Sequence, residues 1–434
     1  MHIFFSGIGG AGIGPLALIA KQAGYEVSGS DKQSSSYIEN LGAKGITDVQ
    51  IGQTREAIEE HHKKHPIDWL VYSSALPKEN PDHPELVFAA ENNIKHTKRD
   101  EFLNELLKKT GQKMIAVAGT HGKTTTTAMC IWMFKQLDIP VSYSVGAKLS
   151  FGGIGEFDAK SEYFVYEADE YDRNFLSFKP ETSLITGIAY DHPDIYPTKD
   201  DYSKAFREFI ASSQSTFIWD NDATTIEAGY SEKITVLDKA NSQKIDLKLP
   251  GKVNRENAAL VIHAVLSVDK SRSYAELAAI MDRFPGVSRR FEKIVDNVYT
   301  DYAHTPEKIH GALQLTNEIA GDNVVVVYEG LHNTRQHFIK NELKTLFEDT
   351  KKVYVVPSYL AREDKDLETL TPEKICETIE KPTDCEPAAL DQDLKTKIQD
   401  HAAQNDLVIS LTAGGGGSLD EWLRKEFNAP RTDK

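Results

Sequence analysis

The chain has 434 residues, enough for two or three domains of the usual ~100–150 residues each. Hydrophobic residues make up 40% and charged residues 27%, which is the composition of a globular protein and excludes a disordered chain. Lys and Arg total 50 against 66 Asp and Glu, and the resulting charge of −16 argues against a nucleic-acid binder, which needs a basic surface. Any anionic ligand must therefore be held by local donors.

The sequence favours a cytoplasmic protein that neither crosses nor enters a membrane. The amino terminus lacks the basic region of a signal peptide, and no segment approaches the ~20 apolar residues that a membrane span needs. Cys130, Cys376 and Cys385 are too few and too scattered for a disulfide framework or a metal knuckle. We therefore expect a reducing compartment.

Residues 1–98 alternate between apolar strand patterns and amphipathic helix patterns, which predicts a parallel sheet covered by helices. A glycine cluster separates the first strand from a helix at Leu16–Ala23. The strands are predicted at His2–Ser6, Glu26–Asp31, Trp69–Ser73 and Asn93–His96.

Two further segments repeat this alternation, so the sequence predicts a three-domain α/β protein with domains at 1–98, 99–285 and 286–434. A helical connector, Arg99–Lys109, leads into the second segment. Continuous valine runs in the third segment are typical of strands buried on both faces. The strands are predicted at Lys113–Ala118, Tyr163–Glu167, Thr182–Thr186, Asn323–Tyr328, Lys352–Val356 and Asp406–Leu411.

The first glycine loop fits the pattern G-x-G-x-x-G between a strand and a helix, with Asp31 at the end of the next strand. Its residues are Gly7, Ile8, Gly9, Gly10, Ala11 and Gly12. Glycine lets the backbone approach a diphosphate, and the helix N-terminus adds unpaired N–H donors. NAD, FAD and UDP-sugars are all compatible with this pattern, and so is a tight turn that binds nothing.

The second loop resembles a shortened P-loop, because Val117 stands where the full pattern has glycine. The loop and the start of its helix comprise Gly119, Thr120, His121, Gly122, Lys123, Thr124 and Thr125. In such loops the amides cradle phosphates, the lysine reaches the β/γ oxygens, and the threonine hydroxyl joins the Mg²⁺ shell. The loop therefore predicts binding of ATP or a similar triphosphate.

Phosphoryl transfer needs a metal and carboxylates to hold it. Glu167 ends a predicted strand, where a P-loop enzyme places its metal-binding acid, and Asp191 and His192 follow the next strand. Mg²⁺ prefers oxygen ligands. On the residues alone, Glu167 is a candidate metal ligand, whereas His192 is typical of a loop histidine.

Together these motifs resemble the Mur ligases over nearly the entire chain, from about residue 2 to Gly417. The resemblance includes the N-terminal glycine loop with Ser28-Gly29-Ser30-Asp31. The remaining motifs follow in order: Gly119-Thr120-His121-Gly122-Lys123-Thr124, Glu167-Ala168-Asp169-Glu170, Asp191-His192, Asn254 and Asn257, Arg289-Arg290-Phe291, and Asp301-Tyr302-Ala303-His304.

The resemblance implies a Rossmann-like UDP-binding domain, a central P-loop ATPase-like domain and a C-terminal Rossmann-like α/β domain. It implies an ATP- and Mg²⁺-dependent ligase of peptidoglycan precursor synthesis. The expected reaction joins an amino acid, L-alanine, to the lactyl carboxylate of UDP-N-acetylmuramate through an acyl phosphate, releasing ADP and phosphate. We expect a monomer or homodimer.

The resemblance also implies a role for each motif residue. Lys123 would hold the β/γ-phosphates, Thr124 and Glu167 one Mg²⁺, and His192 a second metal. The sugar nucleotide would contact the first glycine loop with Ser30 and Asp31. The remaining roles are adenine contact for Asn254 and Asn257, γ-phosphate contact for Arg290, ribose contact for Asp301, and substrate contact for His304 and Arg335.

This sequence departs from the family pattern at Val253 in the second segment and, in the third segment, at Thr300, Thr305 and the stretch 328–335. The identity of the acceptor therefore stays open between L-alanine and a preformed tripeptide. A catalytically inactive nucleotide-binding relative and an NAD-dependent oxidoreductase are the alternatives from other classes. The glycine run Gly414–Gly417 is either a backbone loop near the acceptor site or a plain strand-to-helix turn.

Overall fold

The computed structural model describes residues 1–192, 195–229, 231–238, 247–360, 363–364, 366–380, 383–412 and 417–428. The chain folds into two compact units. The first unit contains 1–247 and 256–284, and the second contains 248–255 and 285–432. Among the helices of the described residues, none is long and apolar enough to cross a membrane.

The first sheet of the first unit is parallel, with strand order β3-β2-β1-β4-β5. Its strands are β1 (His2–Ser6), β2 (Glu26–Asp31), β3 (Val49–Ile51), β4 (Trp69–Tyr72) and β5 (Lys95–Lys98). Its helices are α1 (Gly14–Gln22), α2 (Ser36–Ala43), α3 (Arg55–Lys64), α4 (Ala75–Glu79) and α5 (Pro84–Glu91). Ser6 and Ser30 pair at the carboxyl ends of the central strands, next to the first glycine loop.

The second sheet of the first unit has strand order β12-β11-β10-β6-β9-β7-β8, in which β7 and β8 pair antiparallel. Its strands are β6 (Lys113–Ala118), β7 (Val141–Ser144), β8 (Gly155–Glu156), β9 (Tyr163–Glu167), β10 (Thr182–Ile185), β11 (Ser215–Trp219) and β12 (Ile234–Leu237). Its helices are α6 (Arg99–Thr110), α7 (Lys123–Gln136), α8 (Lys199–Ser212), α9 (Asp220–Thr225), α10 (Lys252–Val268) and α11 (Tyr274–Met281), with a 3₁₀ segment at Tyr171–Ser177. Strand β6 lies between β9 and β10, so the P-loop is at a central position of the sheet.

The second unit is built on a sheet of order β13-β14-β18-β15-β16-β17. Its strands are β13 (Glu292–Val295), β14 (Val298–Asp301), β15 (Val324–Leu331), β16 (Lys352–Tyr359), β17 (Cys385–Pro387) and β18 (Leu407–Leu411). Its helices are α12 (Pro306–Ala320), α13 (Asn333–Phe338), α14 (Lys340–Leu343), α15 (Pro372–Thr378), α16 (Gln392–Ala403) and α17 (Leu419–Glu426). Every residue of β15 is buried, as the valine run predicts.

The predicted strands are present, but the bounds of one strand and the expected state of the cysteines need correction. The strand predicted at Asn93–His96 lies at Lys95–Lys98, because Asn93 adopts a positive φ of 54° and ends the turn that precedes the strand. The cysteines are not all isolated, since Cys376 and Cys385 form a disulfide. Helix α15 contacts the edge strand β17, and this packing brings the two residues together. Cys130 is a free, buried thiol.

Replacing Ile409 by alanine should destabilise the second unit by about 2–5 kcal/mol, because the side chain is fully buried in the central strand β18 and its loss leaves a cavity. Ile319 on α12 is 50% exposed and provides a control with the same chemical change. Denaturant unfolding should show a large shift for Ile409→Ala and a small one for Ile319→Ala. Equal shifts would contradict the buried position of β18.

Candidate functional site

The P-loop connects β6 to the N-terminus of α7, and its shape depends on glycine. Gly119 has a φ of 142°, and a Cβ there would lie 2.4 Å from Thr186 Oγ1. Gly122 immediately precedes the helix and is left-handed, with a φ of 79°. Both conformations strain other residues. The chain therefore turns sharply from the buried strand, and the helix N-terminus carries the partial positive charge that favours an anion.

Lys123 lies at the start of α7 and forms an ion pair with Glu170. Its Nζ is 2.6 Å from Glu170 Oε2, 2.8 Å from the Gly119 carbonyl and 3.7 Å from Asp169 Oδ1. The side chain of Glu170 is only 1% exposed. Burial opposes the charge of Lys123, but these carboxylates outweigh it and raise the pKa of the ammonium group. Lys123 is therefore a cation fixed within the loop.

Thr124 and Glu167 lie together, as the sequence predicts for a shared site. Thr124 Oγ1 donates to Glu167 Oε1 at 2.8 Å, and the Gly146 N–H donates to Glu167 Oε2 at 2.7 Å. Glu167 ends β9, the neighbour of β6, so the parallel register places it at the same sheet edge as the P-loop. The two oxygens form a hard-ligand pair beside the phosphate loop.

His192 occupies a strained position next to the same acids. Its φ is 57°, a left-handed conformation that is costly for a residue with a Cβ. Its Nε2 is 3.8 Å from Glu170 Oε1 and 3.8 Å from Asp191 Oδ2. The ring of Tyr171 packs edge-on against the imidazole, with 5.0 Å between centroids. Glu170 thus links Lys123 to His192, a connection that the motif order did not reveal.

The remaining P-loop residues brace the loop against its neighbours. Thr120 Oγ1 donates to the Ala189 carbonyl at 2.7 Å and lies 2.7 Å from the hydroxyl of Tyr202. The His121 carbonyl accepts a short hydrogen bond from Thr186. The amide of Asn257 lies 3.1–3.2 Å from where a Gly122 Cβ would be. The structure therefore places Asn257 beside the phosphate loop.

In the part of the chain that the structure describes, no group of three or more His, Cys, Asp or Glu side chains is arranged to hold a metal. Mg²⁺ does not require such a cage, because it usually takes one or two carboxylates and completes its shell with water and substrate phosphates. The adjacent hydroxyl and carboxylate of Thr124 and Glu167 fit that requirement.

The first glycine loop uses most of its own amides. The N–H groups of Gly7 and Ile8 donate to the Ser30 carbonyl at 2.9 and 3.0 Å, and that of Gly10 donates to the Gly7 carbonyl at 3.1 Å. Gly9 N–H donates to Asp31 Oδ2 at 2.8 Å. Asp31 therefore braces the loop. The side chain of Ile8 is fully buried, so this residue offers a ligand only its backbone.

Ser30 lies in the same carboxyl-end cluster as the first loop. Its Oγ accepts a hydrogen bond from Gln53 Nε2 at 3.2 Å, and Gln53 also reaches Ser6 Oγ at 3.2 Å. Sequence reasoning missed Gln53, because a single glutamine after a short strand carries no recognisable motif. Gly12, another candidate in this loop, lies against the side chain of Arg99, which was also missed.

The second unit brings together Arg290, Asp301, His304 and Arg335. Asp301 Oδ2 accepts from the Phe291 N–H at 2.8 Å, and burial raises the pKa of this carboxyl while Arg290 opposes the rise. Arg290 donates to the Tyr302 carbonyl at 3.2 Å. Burial lowers the pKa of His304 well below its usual value, and the charges of Lys308, Arg335 and Arg290 lower it further. His304 is therefore a neutral imidazole near several cations.

Asn254 belongs to the part of α10 that lies in the second unit, and its amide donates to the Pro250 carbonyl at 3.0 Å. Val253, which stands where the family has histidine, is 44% exposed. Of the glycine run Gly414–Gly417, residues 414–416 lie outside the described residues, and Gly417 is left-handed, with a φ of 77°.

A parallel sheet whose central strand leads through Gly-Lys-Thr into a helix, with an acid at the end of the neighbouring strand, defines the class of P-loop nucleotide-binding proteins. The comparisons specify the family. Residues 2–110 match the Mur ligase family catalytic domain, 117–238 the Mur ligase middle domain, and 289–414 the Mur ligase glutamate ligase domain.

Similar proteins extend over almost the whole chain. A UDP-N-acetylmuramate--L-alanine ligase from Carboxydothermus hydrogenoformans is 30% identical over 88% of this chain and 87% of its own. The crystal structure of UDP-N-acetylmuramate-alanine ligase MurC from Thermotoga maritima has a TM-score of 0.74 at 23% identity, covering 98% of each chain. A murein peptide ligase structure from Psychrobacter arcticus has a TM-score of 0.62 at 21% identity, covering 99% of this chain and 98% of its own.

This chain belongs to the Mur ligase family, a family of ATP-dependent ligases with three α/β domains. The expected three-domain α/β fold is confirmed.

Proposed function

We propose that the protein joins L-alanine to the lactyl carboxylate of UDP-N-acetylmuramate, using ATP, in peptidoglycan precursor synthesis. The observation that carries this proposal is the cluster of Lys123, Glu170, Thr124 and Glu167 at the P-loop. The first unit also contains the first glycine loop, Gly7–Gly12, so one acidic chain has two loops suited to anionic nucleotides.

The reaction needs two steps because a carboxylate is a poor acyl donor to an amine. A lactyl carboxylate oxygen attacks the γ-phosphorus of ATP, the bond to ADP breaks, and an acyl phosphate forms. The alanine nitrogen then attacks the carbonyl carbon, phosphate leaves, and the ammonium proton passes to a base. Lys123 favours the first step by stabilising the negative charge on the β/γ oxygens, and such fixed charges usually supply the largest part of catalysis.

Thr124 and Glu167 are the proposed Mg²⁺ ligands, and His192 is proposed for a second metal. Bound metal would offset the repulsion between the carboxylate and the triphosphate. Support for the first pair comes from the 2.8 Å contact of its oxygens. Support for His192 comes from its strained backbone beside Glu170, since strained residues cluster at functional sites.

Roles are also proposed for the motif residues of the second unit. Arg290 would contact the γ-phosphate and Asp301 the ribose, whereas His304 and Arg335 would contact the acceptor. The cationic surroundings of His304 support that last assignment, because a free amino acid carries a carboxylate. Asn254 and Asn257 are proposed to contact the adenine.

L-alanine is preferred to a tripeptide as acceptor because relatives named for L-alanine match at 30–31% identity over most of the chain. The murein peptide ligase matches at 21%, a level that supports the fold alone. We further propose a cytoplasmic location, a monomer or homodimer, and domain boundaries near residues 98 and 285.

A phosphate-release assay tests the acceptor. The protein, ATP, Mg²⁺ and UDP-N-acetylmuramate are incubated with L-alanine, with other amino acids, or with the tripeptide L-alanyl-γ-D-glutamyl-meso-diaminopimelate. The proposal predicts the highest kcat/KM with L-alanine, and amide product in equal amount to phosphate. Preference for the tripeptide would assign the recycling activity, and no ATP consumption with any acceptor would indicate an inactive relative.

A further inference from the structure

We infer that Arg99 binds the diphosphate of the sugar nucleotide at the Gly7–Gly12 loop, a role that rests on the proposed function. Arg99 is the first residue of α6, distant in sequence from the loop. A Cβ built on Gly12 would lie 1.6 Å from Arg99 Nη1 and 2.8 Å from its Cζ. The guanidinium therefore lies directly against the Gly12 backbone, in the space that a side chain at this position would occupy.

The loop itself offers few free N–H donors to a diphosphate, and the guanidinium of Arg99 can add to them. The amides of Gly7, Ile8 and Gly10 donate to backbone carbonyls, and that of Gly9 donates to the Asp31 carboxylate. Within the described residues, the N–H groups of Ala11 and Gly12 have no acceptor. The loop thus presents two free amides at the N-terminus of α1, next to the guanidinium.

The charges around the loop also favour a role for Arg99 in binding the diphosphate. Asp31 places a negative charge at the loop, in a chain whose formal charge is already −16, so two amides alone are a weak site for a diphosphate. Across the described ranges, the guanidinium of Arg99 forms no ion pair and no hydrogen bond with the protein. An arginine in this state has all its donors available, and its planar fork matches phosphate oxygens in pairs.

Arg99 is also close to the second sheet of the same unit. Its charge lowers the pKa of Tyr166, against the larger rise that burial causes, and Tyr166 directly precedes Glu167. Arg99 is therefore close to Tyr166 on β9, the strand that ends in the proposed Mg²⁺ ligand.

Binding of UDP and of uridine to the full chain tests the inference by isothermal titration calorimetry. Arg99→Ala should weaken UDP binding by about 10- to 100-fold, the usual effect of losing a charged hydrogen-bond partner, and leave uridine binding unchanged. Arg99→Lys should recover part of the loss. Lys108→Ala removes a positive charge from the exposed end of α6 and should leave the binding of both ligands unchanged. The assignment would be overturned if Arg99→Ala bound UDP as tightly as the wild type does. It would also be overturned if the variant lost as much affinity for uridine as for UDP.

A comparison of two sugar nucleotides shows whether Arg99 binds the diphosphate or the lactyl carboxylate. Arg99→Ala should weaken the binding of UDP-N-acetylmuramate and of UDP-N-acetylglucosamine to the same extent, because both ligands carry the diphosphate. A loss confined to UDP-N-acetylmuramate would assign Arg99 to the carboxylate and overturn the inference. If the wild-type protein binds no UDP-N-acetylmuramate, the proposed function itself fails. If it binds this ligand and Arg99→Ala binds it equally well, only the role of Arg99 fails.

Discussion

Lys123→Ala is expected to lower kcat by about 100- to 1,000-fold, the usual effect of removing one preorganised charge or donor from a transition state. Lys123 is fixed at the start of α7 by Glu170 and the Gly119 carbonyl, so its ammonium group is already in place when the phosphoryl group moves. Steady-state phosphate release with saturating substrates measures the effect. Turnover near that of the wild type would refute the role.

The control for this variant addresses both charge and stability. Lys113→Ala removes a lysine from the other end of β6, where it pairs with Glu162 on the surface, and should leave kcat unchanged. Lys123→Ala also leaves Glu170 buried without its partner, which typically costs about 3–5 kcal/mol. Adding Glu170→Gln should restore thermal stability while kcat stays low. Recovery of kcat in the double variant would show that the single substitution acted through the unpaired carboxylate.

Glu167→Ala is expected to lower kcat by about 100-fold or more and to raise the Mg²⁺ concentration needed for half-maximal rate. The carboxylate is the charged member of the oxygen pair that it forms with Thr124, and metal charge stabilisation contributes several kcal/mol to such reactions. A Mg²⁺ titration of the rate, at fixed ATP, separates this effect from a general loss of activity.

Glu162→Ala is the matched control, because Glu162 is an exposed glutamate directly before β9, the strand that Glu167 ends. It should keep the wild-type rate and the wild-type Mg²⁺ dependence. A low rate with an unchanged Mg²⁺ dependence in Glu167→Ala would contradict the metal assignment and leave Glu167 as a brace for the Gly146 turn.

The buried strands were the most predictable part of the fold. Runs such as Lys113–Ala118 and Tyr163–Glu167 are apolar enough to specify a strand locally, and both have the predicted bounds. The short strands Val49–Ile51 and Cys385–Pro387 were missed because sheet pairing, and not local composition, defines them. The Cys376–Cys385 pair was missed for a related reason, since helix–strand packing brings the residues together.

The candidate site, like the fold, was predictable only in part. The order of the motifs indicated Lys123, Thr124, Glu167 and His192, and the first three lie at one sheet edge. The motifs did not reveal that Glu170 pairs with Lys123, or that Arg99 lies on Gly12. Both contacts join segments far apart in sequence, and only the parallel order of the strands brings them together. Residue type gives the chemistry, whereas these long-range contacts give the partners.

Isotope transfer tests the central claim most directly. UDP-N-acetylmuramate carrying ¹⁸O in both oxygens of its lactyl carboxylate is converted with ATP, Mg²⁺ and L-alanine, and the released phosphate is analysed by mass spectrometry. The account predicts one ¹⁸O atom in each phosphate, because the attacking carboxylate oxygen leaves with phosphorus. Unlabelled phosphate accompanying amide formation would contradict activation of the sugar acid by ATP.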